Sequence, residues 1–187
     1  MIKTVLINGA PGCGKTTFET LCQTLCYYDV SSFRKNKRLA VDIYSTIDFV
    51  KEIATQCGWD GVKTPRNRKF LSDLKDLLTE WADVPLKKIY ERIQELKEVE
   101  DNDWILFIDC REPAEIQKLK EHFNATTVLI RRPGDTDIQT SNHADSEVFN
   151  YNYDLTIWNN SDIIGLEKKA KEFIEYLKGA KEYAWNN

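Results

Sequence analysis

Thr4-Val-Leu-Ile-Asn8-Gly9-Ala-Pro-Gly12-Cys13-Gly14-Lys15-Thr16-Thr17 decides how the rest of the chain is read. Its first five residues are an apolar, β-branched run, and Phe18, Leu21, Cys22 and Leu25 then return at helical spacing, so the stretch predicts strand, loop and helix in succession. The loop from Gly9 to Thr16 fits GxxxxGK[ST] in the context where that pattern has a mechanical meaning. Glycines let successive backbone N–H groups converge on a phosphate, and the following helix presents the positive end of its dipole. Lys15 reaches the terminal phosphate oxygens and the Thr16 hydroxyl is placed to ligate Mg²⁺. Nucleoside triphosphate binding by Gly9, Gly12, Cys13, Gly14, Lys15, Thr16 and Thr17 is the expectation. Cys13 reads as a residue that fills the loop rather than as a redox switch, although Lys15 and a helix start lie beside it.

Outward from this loop, apolar runs and helical periods alternate. Leu39-Ala-Val-Asp-Ile43 is a second strand candidate, and Ile47 to Cys57 predicts a helix that Gly58 and Gly61 stop. After Pro65, Phe70, Leu71, Leu74, Leu77, Leu78 and Trp81 fall at three- and four-residue steps, which predicts an amphipathic helix over 66–81. Another is expected from Leu86 to Glu98, with Ile89, Ile93 and Leu96 on one face. Trp104-Ile-Leu-Phe-Ile108 is a continuous apolar run closed by Asp109, the pattern of a strand covered on both faces. Glu112 to Phe123 reads as helix, Thr126-Thr-Val-Leu-Ile130 and Tyr153-Asp-Leu-Thr-Ile-Trp158 as strands, and Asp162 caps a last helix that Gly179 ends. Residues 131–150 carry Pro133-Gly134 and no sustained period, so they read as a long polar loop of the lid kind. Strands separated by helices predict an α/β fold on a doubly wound, mainly parallel, five-stranded sheet.

A chain of 187 residues fits one domain with an inserted lid or subdomain. With 42% hydrophobic and 11% aromatic residues it can bury a real core, which excludes disorder as its main state. The formal net charge of −4 argues against nucleic acid, which selects positive faces. No run approaches the roughly 18 apolar residues of a membrane span, and the apolar N-terminal stretch is too short for a signal-peptide core. A cytoplasmic protein that binds neither nucleic acid nor membrane is expected. Its five cysteines are odd in number and contain no CxxC pair, which points to neither a disulfide scaffold nor a zinc ribbon.

Ligands of an open parallel sheet sit at the carboxyl ends of its strands, and that rule sorts the polar residues. Past the second strand come Tyr44-Ser-Thr46 and then Lys51; past the third, Asp109-Cys-Arg111-Glu112; past the fourth, Arg131 and Arg132; past the fifth, Asn159 and Asn160. Asp109 is placed to hold Mg²⁺, with helix capping as its alternative. Arg34-Lys-Asn-Lys-Arg38 precedes the second strand and so falls at the opposite end, as a solvated loop. Trp59, beside Gly58 and Gly61, is either packed or set to stack on a base. His122 belongs to a helix surface, and two histidines without metal spacing make no zinc site.

Phosphoryl transfer to an anionic acceptor needs positive charge around the moving group and exclusion of water, with little covalent chemistry. Arginines after different strands and a polar lid meet that need, and an acceptor that is itself a phosphate requires no dedicated base. On Gly9 to Thr16, Asp48-Phe-Val-Lys51, Gly58-Trp-Asp-Gly-Val-Lys63-Thr-Pro-Arg-Asn-Arg68, Asp109-Cys-Arg111-Glu112 and Arg131-Arg132-Pro133, the chain resembles a known group. That group is the deoxynucleoside monophosphate kinases of bacteriophages and their bacterial relatives, within the P-loop nucleotide kinase superfamily. Ser146-Glu147, Tyr153-Asp154, Asn159-Asn160 and the final helix continue the likeness. His143 lies one residue too far from Ser146 for the family's H-x-S-E element, and residues 70–83 lack its glutamine.

The resemblance implies a P-loop kinase fold as a single domain over 1–187, with a helical acceptor-binding region over 44–100 and a lid over 131–150. ATP and Mg²⁺ are the implied cofactors, nucleotides the implied small-molecule partners, and a homodimer is left open. Lys15, Arg111, Arg131 and Arg132 would serve the transfer, and Asn159 would join the loop in holding ATP. Lys51, Lys63, Arg68 and Arg111 would hold the acceptor phosphate, and Thr16 and Asp109 the metal. Phosphomevalonate kinases of the animal type look similar in the same places. Three readings therefore stand: phosphorylation of a (deoxy)nucleoside monophosphate to the diphosphate, phosphorylation of another small phosphorylated acceptor, and a nucleotide-binding switch without small-molecule kinase activity.

Overall fold

Apolar runs that alternate between two covered faces need helices on both, and the chain supplies them. The computed structural model describes residues 1–29, 38–62, 64–135 and 147–179. Its strands are β1 (Ile2–Gly9), β2 (Arg38–Ser45), β3 (Asn102–Asp109), β4 (Thr126–Arg131) and β5 (Leu155–Trp158). They form one sheet in the order β2-β3-β1-β4-β5 with every pairing parallel. Successive side chains of a strand point to opposite faces. Val5, Ile7, Ile105, Phe107, Val128 and Ile130 accordingly pack with α1 (Lys15–Tyr28) and the C-terminal helix α6 (Ile163–Leu177), where Phe18, Phe107 and Phe173 form a ring cluster. Leu6, Leu106 and Ile108 face the other way, against α4 (Val84–Glu98) and α5 (Pro113–Phe123).

Register fixes the functional edge. Asp109 pairs with Ser45 on one side and Ile7 on the other, and Gly9 pairs with Ile130. The strand ends that carry the candidate residues therefore line up on one border of the sheet. The last strand begins at Leu155 rather than Tyr153, because the Asp154 carboxylate accepts from the Thr127 backbone N–H and hydroxyl, both at 2.9 Å, in place of a ladder bond. As expected, Asp162 caps α6 by accepting from Gly165 N at 2.9 Å, and Gly179 follows at φ 75°.

Between β2 and β3 stand α2 (Asp48–Gln56), α3 (Pro65–Ala82) and α4. Thr64 caps α3 with its hydroxyl, 3.1 Å from Asn67 N, and Asp83 at φ 52° turns the chain into α4. The predicted amphipathic helix forms, but its apolar stripe is split. Leu71, Leu74 and Leu78 are half-buried, Phe70, Leu77 and Trp81 face out, and the one buried residue of α3 is Lys75. By contrast, α4 buries Ile89, Ile93 and Leu96, and its Arg92 grips Asp42 of β2 with two bonds of 2.9 and 2.6 Å. Among the described residues no helix is long and apolar enough to cross a membrane. All five cysteines are free thiols.

Candidate active site

The loop after β1 is shaped by positions that admit no side chain. A Cβ on Gly9 would lie 2.5 Å from Cys13 Sγ and 2.8 Å from the Ile130 carbonyl oxygen. Gly14 has φ +98°, and a Cβ there would lie 2.4 Å from Asn159 Nδ2. Cys13 is buried against this wall, and burial pushes its thiol up despite Lys15 and a backbone hydrogen bond, which fits the loop-filling reading. Gly14 occupies the N-cap of α1 and offers no side chain to the first turn. The orphan N–H groups of that turn are thus left for an anion, and Thr16 and Thr17 are exposed beside them.

Lys15 runs from the start of α1 toward β3, where its Nζ contacts Asp109 Oδ1. The Asp109 backbone is held in turn by Thr46, whose N–H and hydroxyl both donate to its carbonyl at 3.4 Å. Because the carboxylate faces Lys15, while Glu112 is the N-cap residue of α5 and that helix start has no side-chain cap bond, the capping alternative for Asp109 falls away. Glu19, one helical turn beyond Lys15, was not singled out from the sequence. It is 1% exposed, its Oε2 lies 4.0 Å from Lys15 Nζ, and its Oε1 meets no donor among the described residues. Burial first, and Asp109 second, push its carboxyl well above the ordinary carboxylate range. A signal existed: Lys15, Glu19, Cys22 and Cys26 share one stripe of α1, and a carboxylate inside such a stripe needs a partner.

Arg131 and Arg132, predicted together for the transferring phosphate, are placed differently. Asp135 takes the Arg131 guanidinium with two bonds of 2.8 Å, and its plane lies 4.4 and 4.8 Å from the ring centres of Phe149 and Trp158. Burial alone would raise the Asp135 carboxyl, but the bonds from Arg131 and from Arg132 N hold it below the usual range. Arg132 instead reaches back to the phosphate loop, with Nη1 3.4 Å from the Gly12 carbonyl oxygen. The predicted lid therefore has packed shoulders, since Asp135 and Val148 are buried and Tyr153 Oη donates to Val148 O at 2.8 Å. His143, Ser146 and the rest of 136–146 lie outside the described residues.

Asn159, expected to hold ATP, braces the loop: its Nδ2 donates to Cys13 O at 2.9 Å and its N–H to Arg131 O at 2.6 Å. Asn8 ties the start of the loop to its surroundings: its Oδ1 accepts from Gly9 N at 2.8 Å, and its Nδ2 donates to Arg111 O at 3.0 Å and to Tyr153 Oη at 2.8 Å.

On the acceptor side, Lys51 stands on α2 and bonds Asp48 at 2.8 Å, and Arg68 is exposed near the start of α3. Arg111 is exposed immediately past Asp109, after the strand adjacent to β2, whereas Lys63 lies outside the described residues. Lys75 is the unexpected member. Its Nζ bonds Glu115 at 2.6 Å and lies 3.6 Å from Glu112, and Cys110 Sγ is 3.1 Å from the same Glu115 oxygen. Burial alone would lower the ammonium's pKa, and the two carboxylates hold it above the usual value. This cluster locks α3 to the segment that carries Arg111. Trp59 is half-buried with its indole N–H inside, in keeping with packing. Arg38 opens β2 at the far end of the sheet and donates to Tyr27 O at 2.8 Å, away from the site.

The residues present fit a nucleotide and a divalent cation. The helix start is uncapped, the loop has no room for side chains at Gly9 and Gly14, and the Thr16 hydroxyl and a partly exposed Asp109 carboxylate supply hard oxygen donors. No protein-family model and no curated protein matches the sequence. Among solved structures the chain is similar to TT1252 from Thermus thermophilus, at 13% identity and a TM-score of 0.50 over 94% of this chain and 97% of that one. It is also similar to a sugar kinase from Janibacter sp., at 12% identity and TM-score 0.46 over 98% and 100%, and to shikimate kinase from Bacteroides thetaiotaomicron, at 15% and 0.41 over 94% and 98%. At such identity the likeness to TT1252 is one of fold, an α/β architecture on a five-stranded, all-parallel sheet.

Proposed function

We propose that the chain transfers the terminal phosphoryl group of ATP, with Mg²⁺, to a nucleoside monophosphate. The observation that carries this reading is the uncapped first turn of α1, set beside Lys15 and Asp109 on the border where four strand ends deliver cations and carboxylates. Mg²⁺ and ATP supply the activated phosphoryl group and the metal charge that spreads over it. The chain's own part is binding and charge. Amides of Gly12 to Thr16 would hold the phosphates, Lys15 would serve the β/γ oxygens, and the Asp109 carboxylate and Thr16 hydroxyl would hold the cation.

Arg132, which bonds Gly12 O of the loop, would reach the transferring group, while Arg131, fixed by Asp135, would set the direction of the segment that carries it. Lys51, Arg68 and Arg111, with Lys63, would hold the acceptor phosphate. Such an acceptor is already ionised and needs no dedicated general base. ADP release from ATP, measured against all common ribo- and deoxynucleoside monophosphates and phosphomevalonate, tests this. ADP release that depends on one nucleoside monophosphate is expected. Dependence on phosphomevalonate alone would move the acceptor to another class, and release independent of every acceptor would favour a switch.

A further inference from the structure

We propose that Glu19 supplies the second negative charge of a divalent-cation site at the end of β3, and that it makes nucleotide and cation enter that site together. The inference rests on the nucleotide-binding reading of the loop and adds a residue to it.

In the structure Lys15 is shared by two carboxyl groups, touching Asp109 and lying 4.0 Å from Glu19. Among the described residues it is the one cation paired with Glu19, whose other oxygen is buried and without a donor. The surroundings are otherwise unfavourable to charge: Phe18 and Cys22 are fully buried on the same helix, and Phe107 covers the stripe from β3. A carboxyl group at this depth stays ionised only while a cation faces it and otherwise takes up a proton. Phosphates at the first turn of α1 would draw Lys15 away, and the two carboxyl groups would lose their shared cation. Asp109 and Glu19 would then be the residues to hold a divalent cation, whose charge would replace the one that Lys15 provides. A residue wanted only for packing here would be apolar, like its neighbours.

The affinity of a fluorescent ATP analogue, measured with Mg²⁺ and with EDTA at one pH, reads this coupling without any turnover. Glu19→Gln keeps the shape and removes the charge, and the ratio of the two affinities should fall at least about fivefold, the lower end of ordinary coupling between two ligands. Glu19→Asp keeps the charge and should retain most of the ratio. Mn²⁺ affinity of the ADP complex, followed by electron paramagnetic resonance, should fall in the Gln variant by a similar factor. Should Glu19→Gln prove unfolded, Glu19→Met removes the same charge in a form the apolar stripe accepts. An unchanged ratio in the neutral variants, or equal losses in Asp and Gln, would overturn the inference. If the unaltered protein binds the analogue under neither condition, the nucleotide site itself fails, a result that no variant effect can mimic.

Discussion

The phosphate loop and helix α3 flank the same sheet edge and are built by opposite means. Around the loop, Asn8 Oδ1 accepts from Gly9 N, Asn159 donates to Cys13 O, and a side chain at Gly9 or Gly14 would meet close neighbours, while Gly12 alone faces open space. Helix α3 leans on its neighbours with three half-buried leucines and is pinned by one buried charge, Lys75, to Glu115 and Glu112. Preorganised donors are worth most where charge develops, because nothing then has to reorganise during the reaction. A segment that must admit a second substrate is better held by a few replaceable contacts. The rigid side would thus suit the proposed nucleotide, and the side held by fewer contacts the proposed acceptor.

The comparison breaks hardest at Lys15. Lys15→Ala should lower phosphoryl transfer by at least about a hundredfold, since it removes charge from the transition state. Single-turnover assays on a variant checked for native circular dichroism measure this. Near-normal transfer would show that the rigid side is not the site of chemistry.

Lys75→Met comes next. It leaves Glu115 and Glu112 facing an apolar tip, and we expect a loss of about 2 kcal/mol, below the 3–5 kcal/mol of a fully buried pair. Chemical denaturation gives the number. Hydrogen exchange should localise the added opening to α3 and the start of α5, and ATP affinity should stay unchanged, since Lys75 touches no part of the loop. Faster exchange in α1 would mean that the two sides are one cooperative unit.

The same contrast governs what could be read before the fold was known. The loop, the buried strands and the order of helices were legible because each is a local pattern: glycines at fixed spacing, apolar runs of strand length, periods of three and four. Asp109, Arg111 and Arg132 followed from one rule about strand ends. Glu19, Lys75 and Asp135 escaped because a buried charge has meaning only beside its partner: Lys15 and Arg131 each stand four residues from Glu19 and Asp135, but whether they turn inward is set by the fold, and Glu115 lies 40 residues from Lys75. The two arginines after β4 looked equivalent in sequence. Asp135 distinguishes them by taking the first in a bidentate pair. The stripe of α3 misled in a different way: periodicity reports that a helix has an apolar face, not that anything covers it.

A smaller effect is expected at the acceptor cations. Arg111→Ala and Arg68→Ala should each raise the acceptor KM by about tenfold, the loss of one charge-assisted bond, and spare ATP affinity measured without acceptor. Arg111 is the firmer case. It directly follows Asp109 on the border of the sheet, and Asn8 holds its carbonyl, whereas Arg68 stands exposed on the loosely held helix. Weakened ATP binding in both variants would assign these cations to the other substrate and erase the distinction between the two sides.

The smallest expected effect is the most diagnostic for α3. Trp81 is 83% exposed, one turn beyond Leu77 and eleven residues beyond Phe70, so it ends the uncovered half of the stripe. Were the helix held by hydrophobic burial, removing its largest side chain would be costly, since burial of an aromatic contributes about 1.5–3 kcal/mol. The contacts here say otherwise. Lys75 and three half-buried leucines carry the attachment, and the indole has given up little of its contact with water. Trp81→Ser should therefore change stability by no more than about 0.5 kcal/mol, as for an ordinary surface substitution. The measurement is a denaturation midpoint taken at two protein concentrations. A loss above 1 kcal/mol that is the same at both would mean that α3 packs more closely on its own chain than this arrangement shows, and the contrast with the phosphate loop would shrink accordingly. A loss that appears only at the higher concentration would instead show that a second copy covers the stripe.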